Sequence, residues 1–332
     1  MITALLAIDV GGSTSWATLV DLDGNCLGQG KNRGGNPGSN PPEAAAAAVV
    51  AAAEAAVADA GVPLDIAVAL LAMAGPRVNA ATTRIEAAFR ALGLRGPLIF
   101  SGDLDALLPS VTAATSGYCL VCGTGAGAVR VRDGKVEAVV DAAGFLLGDL
   151  GSGYWLGHHA AIAVTADLEH RGETTALTPA LLDALGIEQS RDRSADSRPA
   201  ALRLFIDAIY AMRPIELARF APVVIAHRTD PVAARLIAQA EAYLLADFKL
   251  AFDPAMPGPV ALGGGVIAHL TGLPPAIAEV VRAAGHTPDI RLVNDGSVGA
   301  IVLALRALGR TVDDALVKTI AASVAKRAAA PV

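Results

Sequence analysis

The chain has few cysteines, no long apolar stretch and no strongly basic segment, and each of these features excludes a class of protein or partner. It has three cysteines in 332 residues, too few for an even disulfide framework or a four-ligand zinc site. Its longest uncharged apolar stretches, such as 66–75, fall well short of the roughly 20 residues that span a bilayer. The formal net charge is −6 and no segment is rich in lysine or arginine, so we expect neither nucleic acid nor a membrane as a partner.

Charged residues make up only 17% of the chain and aromatic residues 4%, whereas 53% are apolar. This composition is typical of a globular, heavily buried protein. Because single cores rarely serve more than about 250 to 300 residues, two lobes are expected. The first residues, MITALLAIDVGG, carry no basic leader and predict a first strand, which favours a cytoplasmic protein.

Two familiar nucleotide signatures are also missing. The sequence contains no GxxxxGK[ST], and its GTGAGA segment runs into a strand, unlike the dinucleotide fingerprint that opens a helix. Cys119 and Cys122 form a CxxC inside an apolar run, where side chains three apart on a strand point to opposite faces. We interpret this pair as part of a buried strand, with a redox or metal role as the alternative.

One pattern occurs twice. Apolar segment 4–10 is followed by GGST, strand-like 16–21 and an Asp-Gly turn; apolar 118–122 is followed by GTGAGA, strand-like 129–132 and another Asp-Gly turn. Such a repeat indicates two lobes of shared topology, each with a glycine-rich hairpin that lets backbone approach a ligand. Alternating helices and strands predict α/β layers with a mixed sheet in each lobe.

We place the first lobe at 1–114 and the second at 115–305. The remaining 306–332 forms a C-terminal helix, and the sequence leaves open whether it packs on the first lobe.

Two carboxylates lie where predicted strands end, and a third lies in a glycine-flanked loop before a helix. Phosphoryl transfer needs alignment, a divalent metal and a carboxylate that accepts the hydroxyl proton. Asp9, beside GGST, is a candidate to orient hydrated Mg²⁺, with a turn-stabilising role as the alternative. Asp103 is a candidate general base, although it or its rival Asp105 could cap the next helix. Asp149, in a glycine-flanked loop, is a candidate partner for sugar hydroxyls, again with a cap as the alternative.

Together these motifs resemble the actin/hexokinase/Hsp70 superfamily, and within it the N-acetylglucosamine kinase and BadF/BcrA-type ATPase group. DVGGSTSWATLVD is similar to the first phosphate motif, VCGTGAGAVRV to the second, ALGGGV to the adenosine motif and SGDLDA to the catalytic segment. GFLLGDLGSGYWLGHHA is similar to the group's GDEGSxYWI signature, the most specific match. The resemblance covers about 4–305 and implies an actin-like (ribonuclease H-like) α/β fold of two duplicated lobes, with a nucleotide and sugar cleft between them.

The resemblance also implies roles for individual residues. Asp103 would deprotonate the sugar 6-hydroxyl, while Asp9 would position Mg²⁺ with ATP. The implied ATP-binding residues are those of the three glycine-rich turns: Gly11, Gly12, Ser13, Thr14, Gly123, Thr124, Gly125, Ala126, Gly263, Gly264 and Gly265. The implied substrate contacts are Asn36, Asp103, Gly148 and Asp149.

Two departures from the family pattern bear on the substrate. Leu150 stands where the signature usually has Glu, and Gly38 stands where animal N-acetylglucosamine kinases carry a Trp. An acetamido group wants an apolar shelf, so the missing Trp favours a free amine and predicts a glucosamine kinase forming glucosamine 6-phosphate. The first alternative is an N-acetylglucosamine kinase, followed by a 2-hydroxyacyl-CoA dehydratase activator-type ATPase and a non-catalytic sugar sensor. The expected partners are ATP and an amino sugar, and a homodimer is left open.

Overall fold

The computed structural model describes residues 2–11, 14–37, 40–73, 79–190, 194 and 198–329. The chain divides into two compact units. The first comprises Met1–Gly117, Val131–Val136 and Arg291–Val332, and the second comprises Tyr118–Arg130 and Glu137–Ile290. Within the described ranges, no helix combines the length and apolarity that crossing a bilayer requires.

Groups of strands and groups of helices follow one another along the chain. The strands are β1 (Ile2–Val10), β2 (Thr14–Asp21), β3 (Cys26–Arg33), β4 (Leu64–Met73), β5 (Leu98–Ser101), β6 (Gly117–Cys122), β7 (Ala126–Arg132), β8 (Lys135–Asp141), β9 (Val260–Gly263) and β10 (Ile290–Leu292). The helices are α1 (Pro42–Ala60), α2 (Asn79–Ala91), α3 (Asp103–Leu107), α4 (Gly153–Leu168), α5 (Leu177–Ala184), α6 (Ala200–Tyr210), α7 (Ala221–Ala226), α8 (Pro231–Ala251), α9 (Leu273–Ala283), α10 (Ser297–Ala307) and α11 (Asp314–Ala328).

The two sheets have the same strand order. The first runs β3-β2-β1-β4-β5 and the second, read from its other edge, runs β8-β7-β6-β9-β10. In the first sheet β1 is parallel to β4 and β4 to β5, while β2 is antiparallel to both of its neighbours. The carboxyl ends of β1, β4 and β5 therefore share one edge, and the duplication inferred from the repeated hairpins is present in the sheets.

Helices cover both faces of the first sheet, which explains why β1 and β4 are apolar on both faces. Residues such as Leu6 and Ile8 pack with α1, while Leu5 and Ala7 pack with α10 and α11. The alanine-rich α1 approaches β3 very closely, because a Cβ at Gly30 would lie only 2.1 Å from a backbone oxygen of α1. Glycine on the strand and alanine on the helix are thus required together.

The last two helices belong to the first unit. Residues 291–305, which the sequence analysis assigned to the second lobe, cluster with the first because α10 buries Val298, Ile301 and Leu305 against its sheet. Helix α11 packs on the same face, and Arg327 near its end pairs with Asp59 of α1 at 3.0 Å. The packing that the sequence left open is therefore against the first unit.

The second unit has its own core, built mainly of helices around β6 and β9. Cys119 and Cys122 are buried on β6 as free thiols, as the buried-strand interpretation predicts. Burial raises the pKa of the Cys122 thiol to about 12, which disfavours the thiolate that redox and metal chemistry need.

Candidate active site

Asp9 lies at the carboxyl edge of the first sheet, near the end of β1 and just before the glycine turn. Its side chain is mostly buried, and this burial, followed by the charges of Asp103 and Asp295, raises its pKa to about 6. Three carboxylates from separate parts of the first unit therefore interact electrostatically at this edge. Such a group is stabilised by a cation.

Asp295 was not singled out by the sequence analysis. It lies between β10 and α10, where its Oδ1 accepts a hydrogen bond from the Ser297 amide at 2.8 Å. The adjacent Gly296 lies directly against Asp9, since a Cβ there would be 2.6 Å from Asp9 Oδ2. The signal was present in NDGSVGA, because an Asp between a strand and a helix is the placement that singled out Asp103.

Capping of the helix after β5 falls to Asp105. Its Oδ2 accepts hydrogen bonds from the Gly102 amide at 2.8 Å and the Ser101 hydroxyl at 2.9 Å. Asp103 accepts from the neighbouring Leu104 amide at 2.9 Å through Oδ1, and burial raises the pKa of its carboxyl. A desolvated carboxylate with a raised pKa is better matched to general-base work than an ordinary surface aspartate.

The first glycine turn and the loop that carries Asn36 lie side by side. The Gly11 amide donates to the Thr14 carbonyl at 2.9 Å, and the Asn36 amide donates to the Gly11 carbonyl at 3.3 Å. The structure thus brings together three of the predicted site residues of the first unit. Gly12 and Ser13 lie outside the described residues, as does Gly38.

The second glycine turn is anchored to the start of α4. The Gly123 amide donates to the Gly125 carbonyl at 2.9 Å, closing the turn. The Gly153 and Tyr154 amides donate to the carbonyls of Gly123 at 2.8 Å and Thr124 at 3.2 Å. The signature segment GSGYW therefore fixes the turn by backbone hydrogen bonds.

Gly148 and Asp149 take part in building this turn. Asp149 is buried and accepts from the Ala126 amide at 3.1 Å through its carboxylate. Asp141, which the sequence analysis did not single out, accepts from the amides of Asp149 at 2.7 Å and Leu150 at 2.9 Å. A Cβ at Gly148 would lie 2.0 Å from Asp141 Oδ1, so a larger residue there would displace the Asp141 carboxylate from these amides. Contact of Gly148 and Asp149 with a sugar stays a prediction.

The third turn, 263–265, packs on the second. The Val266 amide donates to the Cys122 carbonyl at 3.0 Å, and a Cβ at Gly123 would lie 3.7 Å from the Cα of Gly264. Gly264 has a φ of 107°, and a Cβ there would be 2.4 Å from the Cys122 oxygen. The turn is therefore a tight connection that places backbone beside the second glycine turn.

We expect Gly264→Ala to lower the free energy of unfolding by about 2 kcal/mol or more, because alanine is strained at this φ and collides with the Cys122 carbonyl. Urea unfolding measures the difference. Gly265→Ala is the matched control, since nothing lies within 4 Å of a Cβ there, and its cost should stay within about 0.5 kcal/mol. Equal costs for the two variants would contradict the packing of the third turn on the second.

The first unit fits a hydrated magnesium ion better than an enclosed metal. Among the described residues, no three Asp, Glu, His or Cys side chains could by themselves enclose a metal. Mg²⁺ prefers oxygen ligands, keeps several waters and is usually bound by one or two carboxylates together with substrate phosphates. No group in the described part of the chain hydrogen-bonds to the Asp9 carboxylate, which leaves its oxygens available for such an ion.

Comparisons with known proteins agree with this geometry. The sequence profile of the BadF/BadG/BcrA/BcrD ATPase family matches residues 6–267. A curated relative, the N-acetylmuramic acid/N-acetylglucosamine kinase of Clostridium acetobutylicum, is 32% identical over 109 residues. That segment is 32% of this chain and 35% of the relative, so the match spans about a third of the relative's length.

Two solved structures have the same fold. One, described as a candidate N-acetylglucosamine kinase of Chromobacterium violaceum, is 26% identical with a TM-score of 0.71, covering 92% of this chain and 99% of that one. The other is a ROK family glucokinase of Streptomyces griseus in complex with glucose and AMPPNP, 20% identical with a TM-score of 0.53, covering 92% and 98%. The predicted fold class is thereby confirmed.

Proposed function

Because the chain belongs to the BadF/BadG/BcrA/BcrD ATPase family, we propose that it is an ATP-dependent sugar kinase that phosphorylates the 6-hydroxyl of glucosamine. The observation that carries this proposal is the state of Asp103. It follows a strand at the same sheet edge as Asp9, is freed from capping by Asp105, and has a raised pKa. A carboxylate so arranged suits proton transfer more than structural support.

In the proposed reaction, the sugar oxygen forms a bond to the γ-phosphorus as its proton passes to the Asp103 carboxylate. The bond between the γ-phosphorus and the bridging oxygen breaks, and ADP leaves with that electron pair. Asp9 would hold a hydrated Mg²⁺, which would neutralise phosphate charge. The glycine-rich turns let the backbone approach the phosphate oxygens closely, and Asn36 contacts the sugar ring.

The residues of this chain and the names of its relatives support different sugars as the substrate. Gly38, in place of a Trp that could form an apolar shelf, supports glucosamine with its free amine. The second candidate is N-acetylglucosamine, which the names of the Clostridium and Chromobacterium proteins support.

An ADP-release assay with Mg²⁺, ATP and glucosamine, N-acetylglucosamine, glucose or mannosamine tests the proposal. We expect the highest kcat/KM with glucosamine. A preference for N-acetylglucosamine would support the second candidate. Sugar binding without ADP release would instead indicate a non-catalytic sensor and contradict the kinase.

The buried cysteines disfavour an activator-type ATPase. Such a protein holds an iron–sulfur cluster with accessible cysteines, whereas Cys119 and Cys122 are buried on β6. Iron bound to the purified protein would be needed to revive that hypothesis. The cytoplasmic location stays a prediction, and the homodimer stays open.

A further inference from the structure

Lys31 and Trp16 form a row with Asp9 across the first sheet. In the register of the strands, Asp9 lies directly opposite Trp16 and Trp16 lies directly opposite Lys31. Directly opposed residues present their side chains on the same face of a sheet. This is the face covered by α10, because Thr18, two residues along β2 from Trp16, donates through Oγ1 to the Ser297 hydroxyl at 3.2 Å. The row lies at the carboxyl edge, beyond the start of that helix.

The pair of Trp16 and Lys31 is exposed and carries one positive charge, on the same sheet face as Asp9. The Trp16 side chain is 37% exposed, and Lys31 Nζ lies 4.7 Å from the centroid of the indole ring. Within the described part of the chain, Lys31 forms no ion pair, so its charge is not balanced by a neighbouring carboxylate. A cation–π contact of this kind restrains the long lysine stem and thus fixes the position of the ammonium group.

A phosphate group bound beside Asp9 would lie within reach of the long Lys31 side chain, which extends over the intervening Trp16 ring. Two strand spacings separate the backbones of Asp9 and Lys31 by roughly 10 Å. Asp9 would hold a hydrated divalent cation, which would neutralise phosphate charge, and the Lys31 ammonium would contact the same phosphate directly. Asp9 and Lys31 would thus both contribute to phosphate binding, Asp9 through a cation and Lys31 directly.

We propose that Lys31, held on the Trp16 indole, is a further phosphate-binding residue that contacts the terminal phosphate of the bound nucleotide. The proposal rests on the proposed kinase function and adds a residue to its first unit. Trp16 is its positioning residue, since it touches Lys31 and not the phosphate.

Calorimetric titrations of the sugar-free protein with Mg²⁺ and adenylyl imidodiphosphate, or with adenosine, test the proposal. Lys31→Gln should bind the triphosphate analogue about tenfold or more weakly, because the variant loses a hydrogen bond between two charged groups. Adenosine affinity should be unchanged. Lys318→Gln is the matched control, because Lys318 is an exposed lysine of the same unit on α11. Its affinities should equal those of the wild type.

Two further titrations show whether Lys31 binds the phosphate of the nucleotide or another phosphate. Glucosamine 6-phosphate and inorganic phosphate are titrated in parallel, and a loss confined to glucosamine 6-phosphate would overturn the assignment to the nucleotide. Wild-type affinity of Lys31→Gln for the analogue, in a protein that still phosphorylates sugar, would overturn the Lys31 proposal alone. A wild-type protein that binds no nucleotide would remove the kinase function and this proposal together.

Fluorescence gives a readout that a merely structural role would not move. The chain has two tryptophans, and the other, Trp155, is buried. Binding of the triphosphate analogue should therefore shield Trp16 from iodide quenching in the wild type, with no such change in Trp16→Phe. Phenylalanine also supports the ammonium, so Trp16→Phe should keep its affinity for the analogue within a few-fold, whereas Trp16→Ala should lose affinity. Equal affinities of Trp16→Ala and the wild type would overturn the positioning role.

Discussion

We expect Asp103→Asn to lower turnover with ATP and amino sugar by at least about 10²-fold while leaving nucleotide affinity nearly unchanged. The amide has the shape of the carboxylate but cannot accept the hydroxyl proton. The ADP-release assay measures turnover, and calorimetry with a non-hydrolysable nucleotide measures binding. Retention of most of the turnover would refute the general-base assignment.

Asp105→Asn is the matched control for this variant. Its side-chain oxygen can still accept from Gly102 and Ser101, though without the carboxylate charge, so the variant should cost about 1 kcal/mol or less of stability and much less turnover than Asp103→Asn. An equal loss of turnover in both variants would show that the helix start, and not the base, had been disturbed.

The pH profile adds a further check, because the raised pKa of Asp103 should shift the acid limb of kcat/KM above the usual range of an aspartate.

The second large effect is expected for Asp9→Asn, which should lose activity and gain stability. Turnover should fall by at least about 10²-fold, because the metal-binding carboxylate is removed. The pKa of Asp9 is raised from 3.8 to about 6 in the folded protein. Above pH 6 the folded protein therefore contains a buried carboxylate charge, which lowers its free energy of unfolding. The penalty, about 3 kcal/mol for a shift of this size, grows as pH rises from about 4 to 6 and is absent below.

Urea unfolding of the metal-free protein measures this gain. Asp9→Asn should raise the free energy of unfolding by up to about 3 kcal/mol at pH 8 and by little near pH 3.5. Asp65→Asn, on β4 of the same unit, should show neither effect. Added Mg²⁺ should stabilise the wild type and not Asp9→Asn. A variant less stable than the wild type at pH 8 would mean that Asp9 supports the turn, as the sequence left open.

The sequence by itself determined the repeated unit of strand, glycine turn and strand. It also placed Asp9 and Asp103 at strand ends, and the family resemblance gave the fold class and the residues of the turns. These features are local: apolar runs form strands, glycines permit tight turns, and both are visible in a few consecutive residues. The duplicated sheet order followed from the same local pattern used twice.

Only the tertiary structure decided which partner each polar group takes. In the structure Asp105 caps the helix after β5, and Asp149 accepts a hydrogen bond from the Ala126 amide. Asp295 lies near Asp9, and α10 belongs to the first unit. The structure also places Lys31 on the Trp16 ring. The physical reason is that most of these contacts join groups far apart in the chain. Their energies, and the choice between Asp103 and Asp105 at the helix start, depend on distance, burial and register, which no short stretch of sequence contains.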